Sequence, residues 1–239
     1  MKPPNHPRAC KGGILADAMG LGKTVMILSL ILKAKETTPS ISERLKDTYN
    51  KTFGGTLVIT PLSLIPQWEQ EILSKTSLSC CVYYGDSRNA IVSGYDIVIT
   101  SYGTVQSAYA TDNARAQILL KTYWNRIILD EAHCIKNTQT IVSKACCSLE
   151  AESRWCVTGT PIQNSLADVY GLLKFLKHEP WCETAFWKTA VTIPLSKAID
   201  SPLDTMKDVM SKTIIHSRVK RVLSPILLRR TRDSLTKHG

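Results

Sequence analysis

Two short stretches carry the side chains needed to hold and split a polyphosphate. One is Asp17-Ala-Met-Gly20-Leu21-Gly22-Lys23-Thr24; the other, about a hundred residues on, is Asp130-Glu131-Ala132-His133. A nucleoside triphosphate carries about four negative charges and a Mg²⁺ ion. It asks for backbone N–H donors, one lysine, one hydroxyl on the metal and a carboxylate beside that metal. Gly20 and Gly22 permit backbone geometry and close approach that a Cβ forbids. Lys23 is placed to reach the β- and γ-phosphates and Thr24 to put its hydroxyl on Mg²⁺. Asp17, Gly20, Leu21, Gly22, Lys23 and Thr24 together form the candidate nucleotide loop.

Asp130 closes the apolar run Ile127-Ile128-Leu129, which aims its carboxylate at a metal, and Glu131 next to it can take a proton from an attacking water. A buried acidic pair without a cation is costly. Asp at a strand-to-helix turn also caps helices well, so the doublet alone admits a structural reading. Paired with the Lys23 loop, it favours hydrolysis. His133 fits either a relay from the triphosphate to a neighbouring element or a satisfied structural histidine.

These residues need rigid elements to aim them. Gly12 to Ala16 reads as a short buried strand, and Lys23 to Ala34 as a helix with Val25, Ile27, Leu28, Ile31 and Leu32 apolar. Residues 35–55 read as a long polar connection. Further strands are expected at 56–60, 80–84, 96–100, 126–129 and 154–157, and helices from Pro66 and over 114–121, 140–149 and 166–176. Buried strands alternating with helices predict an α/β fold: three layers around a mostly parallel central sheet, with ligands at the strand C-terminal ends. From about residue 180 no strand is evident, and Leu203–Ile214 suggests a helical extension. The expected division is 1–178 for the nucleotide-binding lobe and 179–239 for that extension and the start of a linker.

The chain has 239 residues, 44% of them hydrophobic, which suffices for a buried core. No apolar run reaches the ~18 residues of a membrane span. The polar, proline-rich start is not a secretory signal. Eight cysteines include two adjacent pairs and no Cys-x-x-Cys, which points to neither a zinc site nor a disulfide framework. The net charge of +10 sits at the ends: residues 212–239 carry +7 and residues 1–11 carry +3, leaving the middle neutral. Basic ends suit a polyanionic partner; a solvated tail is the plain alternative.

Six collinear segments resemble the first RecA-like lobe of the Swi/Snf-type ATPases of helicase superfamily two. They are Gly13 to Thr24; Val58-Ile-Thr-Pro61 with Gln67-Trp68; Asp96 to Tyr102; Trp124 to Asn137; Thr158-Gly-Thr-Pro-Ile-Gln-Asn164; and Leu227-Leu-Arg-Arg-Thr-Arg232. An acid at 17 is common in that family, whereas Ala18 stands where it usually has Glu or Asp. Gly12-Gly13 and the Asp-Glu-Ala-His-x-Ile-Lys-Asn form resemble the branch of RING-containing replication-repair translocases and transcription-termination ATPases; no RING cysteines lie in this sequence.

The resemblance implies ATP and Mg²⁺ as cofactors, with Lys23, Asp130 and Glu131 catalytic and Thr24 and Asp130 on the metal. It implies that His133, Thr158, Thr160, Gln163 and Asn164 couple the nucleotide to DNA, and that Pro61, Ser63, Thr100, Ser101 and Tyr102 contact the backbone of duplex DNA. Without it, turn and cap chemistry is the preferred account of those Ser/Thr loops. It further implies a second RecA-like lobe supplying an arginine across the cleft. Gly239 falls where a linker to that lobe is expected, and the upstream glutamine that usually grips adenine is missing, the first being Gln67. The resulting expectation is one lobe of a nuclear DNA-dependent ATPase that translocates on duplex DNA in chromatin remodelling or repair, weak when alone and with no membrane partner. The alternative is a silent lobe that binds DNA or a partner ATPase; a small-molecule kinase fits less well, because it has no use for Thr158-Gly-Thr-Pro161 or Trp68.

Overall fold

The computed structural model describes residues 11–37, 52–84, 92–113, 117–160, 166–199 and 206–231. Seven strands form one sheet: β1 (Gly12–Leu15), β2 (Thr52–Thr60), β3 (Cys80–Val82), β4 (Ile97–Ser101), β5 (Thr122–Asp130), β6 (Glu150–Val157) and β7 (Leu227–Leu228). Their order is β3-β4-β2-β5-β6-β1-β7, and every described pairing is parallel. Such strands are buried on both faces, which is why they read as unbroken β-branched runs.

The alternation within the runs fills two cores. Val58, Ile97, Ile99 and Ile128 point to one face, beneath α1 (Lys23–Thr37) and α2 (Ile65–Lys75), with Ile27, Leu28, Trp68 and Ile72 from those helices. Leu57, Ile59, Val98, Ile127 and Leu129 point to the other. That face is covered by α3 (Tyr102–Tyr109), α4 (Ile118–Lys121), α5 (Ile141–Ser148) and α6 (Leu166–Leu176). The α/β three-layer expectation therefore holds.

Several boundaries differ from the sequence reading. β2 begins at Thr52 and β5 at Thr122, both earlier than their apolar cores suggest, because Thr52↔Thr122 and Phe53↔Tyr123 extend the pairing. β3 stops at Val82, and the helix expected over 114–121 is described only over α4, with 114–116 outside the described residues. The region after residue 180 is helical, as expected: α7 (Thr184–Trp187), a π turn (Lys188–Thr192), α8 (Ile193–Ile199) and α9 (Met206–Leu223). It also holds a strand that the sequence reading did not see. β7 pairs with β1 through Ile14↔Leu227 and Leu15↔Leu228. Two residues are too few to show a period, so only this pairing reveals it.

The extension shares the core of the sheet. Trp187, Val191, Ile215, Val219, Val222 and Leu223 join the same buried cluster as Leu57 and Ile127. Tyr170 of α6 stacks on Trp187 with ring centroids 5.2 Å apart, and its hydroxyl is 2.7 Å from Thr184 Oγ1.

α6 also braces the turn that follows β5. A Cβ on Gly171 would lie 2.7 Å from the carbonyl oxygens of both Ile135 and Lys136. In an exposed helix, Gly→Ala gains about 1 kcal/mol. Here, overpacking against backbone costs about 1–3 kcal/mol, so the clash wins. Gly171→Ala is expected to lower the urea midpoint; a raised midpoint would show that α6 does not bear on that turn.

Candidate functional site

Parallel strands bring their C-terminal ends to one edge of the sheet, where ligands bind in folds of this kind. The register sets the layout. Leu15 pairs with Val157, and Val157 with Asp130, so β1, β6 and β5 end in one row. Two strand spacings separate Leu15 from Asp130, roughly 10 Å between Cα atoms. The glycine loop leaves β1 from that row and the acidic doublet leaves β5 from it.

The loop turns at Gly20 and Gly22, with φ of 82° and 76°. Nothing lies within 4 Å of a Cβ built on Gly22, so backbone conformation rather than crowding calls for glycine there. The Lys23 ammonium folds back on the loop, donating to the carbonyls of Asp17 at 3.0 Å and Ala18 at 3.3 Å. Thr24 is half-buried in the first turn of α1.

Asp130 is 9% exposed, and three elements fix its position. Its Oδ2 accepts hydrogen bonds from Thr60 Oγ1 of β2 at 3.0 Å and Trp68 Nε1 of α2 at 2.7 Å. Its backbone oxygen accepts from the Tyr102 hydroxyl of α3 at 2.7 Å. Its Oδ1 accepts from the Glu131 N–H at 3.0 Å, leaving acceptor capacity on that oxygen. Glu131 itself is left-handed, with φ 49° and ψ 50°, an uncommon conformation for a residue with a side chain. The strand ends because the chain bends there, and the Glu131 carboxylate lies 3.1 Å from His133 Nδ1. His133 Nδ1 makes no hydrogen bond at that distance, so the contact is one of charge when the ring is protonated.

The donor set fits Mg²⁺. A threonine hydroxyl and a carboxylate are hard oxygen ligands, and Mg²⁺ is commonly held by one or two carboxylates together with phosphates and water. Among the described residues no three His, Cys, Asp or Glu side chains cluster as a closed cage. The site can therefore supply two protein oxygens but not a complete shell.

The third wall comes from the end of β6. The Thr158 N–H donates to Leu15 O at 3.0 Å, and Thr158 Oγ1 accepts from the Thr160 N–H at 3.2 Å. A Cβ on Gly159 would touch Met19 of the glycine loop. The 158–160 turn thus abuts the glycine loop, whereas Gln163 and Asn164 lie outside the described residues.

Two expectations need correction. The Asp17 carboxylate, expected among the phosphate ligands, is fully buried and accepts from Arg230 instead. Only the Asp17 backbone, through its carbonyl, faces Lys23. Thr100, Ser101 and Tyr102 were expected on DNA phosphates, and all three are buried. Thr100 Oγ1 donates to Tyr83 O at 2.9 Å, Ser101 Oγ caps α3 by accepting from the Thr104 N–H, and Tyr102 binds Asp130. Cap chemistry accounts for Ser101, whereas Thr100 reaches a carbonyl 17 residues away. Of that set, Pro61 is half-buried and Ser63 exposed at the sheet edge.

Sequence reasoning gave Trp68, Thr60 and Arg230 no role in the site. The signals were present: a buried indole N–H needs an acceptor, and a buried acid needs a cation. Neither names its partner along the chain.

A family model described as SNF2-related domain matches residues 6–238. The DNA repair protein RAD5B of Arabidopsis thaliana is 39% identical over 259 residues, covering 99% of this chain and 19% of that protein. The DNA repair protein rad8 of Schizosaccharomyces pombe is 34% identical, covering 99% of this chain and 21% of that protein. The chain thus spans about a fifth of the length of these curated relatives. Among solved structures, the Sulfolobus solfataricus SWI2/SNF2 ATPase core in complex with double-stranded DNA superposes with a TM-score of 0.67 at 31% identity, over 92% of this chain and 40% of that one.

Trp68→Phe keeps the ring and removes the N–H that Asp130 accepts. A hydrogen bond to a charged group contributes about 1.5–3 kcal/mol. Urea unfolding should show a loss of that size with an unchanged m-value, and an unchanged midpoint would mean that the indole is not what holds the carboxylate.

Proposed function

The chain belongs to the SNF2-related domain family, and from that premise we propose that it is the first RecA-like, ATP-binding lobe of a DNA-dependent ATPase that translocates on duplex DNA in repair or chromatin remodelling. The observation that carries this reading is the shared register row, which brings the Lys23 loop and the Asp130–Glu131 doublet to one edge with the 158–160 turn between them.

In this reading the N–H groups of the loop at Gly20–Thr24 receive the phosphates. Lys23 exchanges the carbonyls of Asp17 and Ala18 for phosphate oxygens, an exchange favoured because a neutral carbonyl is the weaker acceptor for an ammonium. Thr24 and Asp130 hold Mg²⁺, directly or through water. Held by those two residues, Mg²⁺ would supply positive charge to offset what develops on the phosphate. Thr60 and Trp68 keep Asp130 from rotating away. Glu131, whose carboxylate lies 3.1 Å from His133 Nδ1, takes the proton of the attacking water. Thr158, bonded to the end of β1, and Thr160, bonded to Thr158, couple nucleotide state to DNA, with Gln163 and Asn164 assigned to the same path by family resemblance. Pro61 and Ser63 face the DNA backbone.

A second RecA-like lobe completes the cleft with an arginine. Such a finger contributes roughly 10³–10⁵ in rate in related phosphoryl transfer. Contacts to phosphate position a protein without reading sequence, so DNA affinity should be non-specific and fall with salt. A role in repair or chromatin remodelling of duplex DNA implies the nucleus as its compartment.

The test is direct. The 239-residue chain should bind ATP·Mg²⁺ by calorimetry and hydrolyse it barely, with or without duplex DNA. Adding a second-lobe fragment in trans should raise DNA-stimulated turnover by at least about 10³, and Lys23→Ala should abolish binding. Failure of the unaltered chain to bind ATP, with DNA binding intact, would instead favour a silent DNA-binding module.

A further inference from the structure

The glycine loop is held from its far side by the last described strand. β7 is an edge strand of two residues that pairs with β1 alone, and Leu228 is half exposed. Three backbone bonds extend the pairing along the loop. The N–H groups of Ile14, Ala16 and Ala18 donate to the carbonyls of Ile226, Leu228 and Arg230 at 2.7, 2.7 and 3.0 Å. The zipper thus runs past the end of β1 and into the nucleotide loop, and its last rung is Ala18–Arg230.

The side chains close the same rung. Asp17 is 0% exposed. Its Oδ1 accepts the Arg230 N–H at 2.8 Å, and its Oδ2 accepts from Arg230 Nε at 3.0 Å and Nη2 at 2.5 Å. A planar fork and a carboxylate make the stronger, geometrically specific kind of pair. A fully buried carboxylate without that partner would be strongly destabilising. The fork also lies against Met26 Sδ, in the second turn of α1. On the opposite side of the same two residues, Lys23 donates to the carbonyls of Asp17 and Ala18. One dipeptide is therefore gripped by two cations, one that the proposed function assigns to phosphate and one, Arg230, that follows the C-terminal strand 213 residues away.

We propose that Arg230 is a positioning residue for nucleotide binding: through its clasp on Asp17 it fixes the conformation of the phosphate loop, and the seating of β7 and the binding of ATP·Mg²⁺ stabilise one another. The inference rests on reading the loop as the nucleotide site. Its physical basis is reciprocity. When Lys23 leaves the Asp17 and Ala18 carbonyls for phosphate, that dipeptide keeps only the Arg230 side of its grip. A ligand that prefers the clasped loop must then tighten the clasp by the same factor by which the clasp tightens the ligand. A short edge strand with few bonds is the kind of element whose local opening such coupling can shift.

The experiment uses the full 239-residue chain with ATP and Mg²⁺ as the probe. Asp17→Asn and Arg230→Gln should each weaken ATP·Mg²⁺ binding by about ten-fold, within the usual range of coupling between sites. The double variant should be no weaker than the poorer single, because the two act through each other. Arg230→Lys, which keeps the charge and loses the fork, should fall between. In the unaltered chain, ATP·Mg²⁺ should slow hydrogen exchange at the Arg230 amide, whose N–H is on Asp17, and Asp17→Asn should remove that slowing.

Unchanged nucleotide affinity in variants with a lowered melting temperature would reduce the clasp to a structural pin and overturn the proposal. Should the variants not fold, exchange in the unaltered chain still decides: nucleotide binding without protection at Arg230 overturns it. Absence of any ATP binding by that chain would instead sink the nucleotide-site reading on which it rests.

Discussion

An aspartate at the end of a strand buried on both faces is the point on which this structure turns. Asp130 has little water around it, and an isolated carboxylate there would cost several kcal/mol. The fold answers with bonds from three directions: Thr60 from the neighbouring strand, Trp68 from a helix on one face, and Tyr102 from a helix on the other. Each of the two side-chain bonds to the charge contributes about 1.5–3 kcal/mol, comparable with the penalty. What they leave is one oxygen, Oδ1, whose single bond from the Glu131 N–H does not exhaust it. The carboxylate is thus immobilised on one side and available on the other, which is what a metal ligand has to be.

The same balance explains the residue that follows. A left-handed, non-glycine backbone costs of order 1–3 kcal/mol and persists only where its surroundings enforce it. At Glu131 they do. Its N–H is on Asp130, its carbonyl accepts from the Cys134 N–H at 3.0 Å, and its carboxylate is 3.1 Å from His133. Behind that turn α6 packs so closely that Gly171 has no room for a Cβ. The turn is a rigid support for a side chain that has to be aimed.

How much of this a reader of the sequence could see depends on the range of each interaction. β1, α1 and the core of β2 were legible because a local apolar run and a glycine turn specify them. The Lys23 loop and the acidic doublet were legible as chemistry, since residue type and spacing carry it. What sits against what was not. Thr52 and Thr122 are β-branched and suit strands, but Gly54-Gly55 separates Thr52 from the apolar run, and it is the pairing of the two that carries the strands that far. The loop at 100–102 shows the opposite failure. Ser and Thr suit phosphate contacts and helix caps equally, and only the structure shows Ser101 capping and Tyr102 turned inward. β7 was missed altogether, because two leucines have no period and the partner strand lies more than two hundred residues upstream.

Asp17 shows how such a miss can be resolved by physics rather than by pattern. An acid inside a phosphate-binding loop is paradoxical: at about 4 Å, two like charges in a partly buried site repel by roughly 4 kcal/mol, and a triphosphate carries several. The paradox stands as long as the side chain is assumed to face the ligand. Its carboxylate in fact points to the other side of the loop and is neutralised there by Arg230, whose guanidinium it holds above the usual pKa by hydrogen bonding and charge. The backbone of the same residue keeps its carbonyl toward Lys23. Charge that would oppose nucleotide binding from within the loop instead anchors that loop to the far edge of the sheet. An asparagine there would avoid the repulsion equally well, but it could not hold an arginine fork as an ion pair.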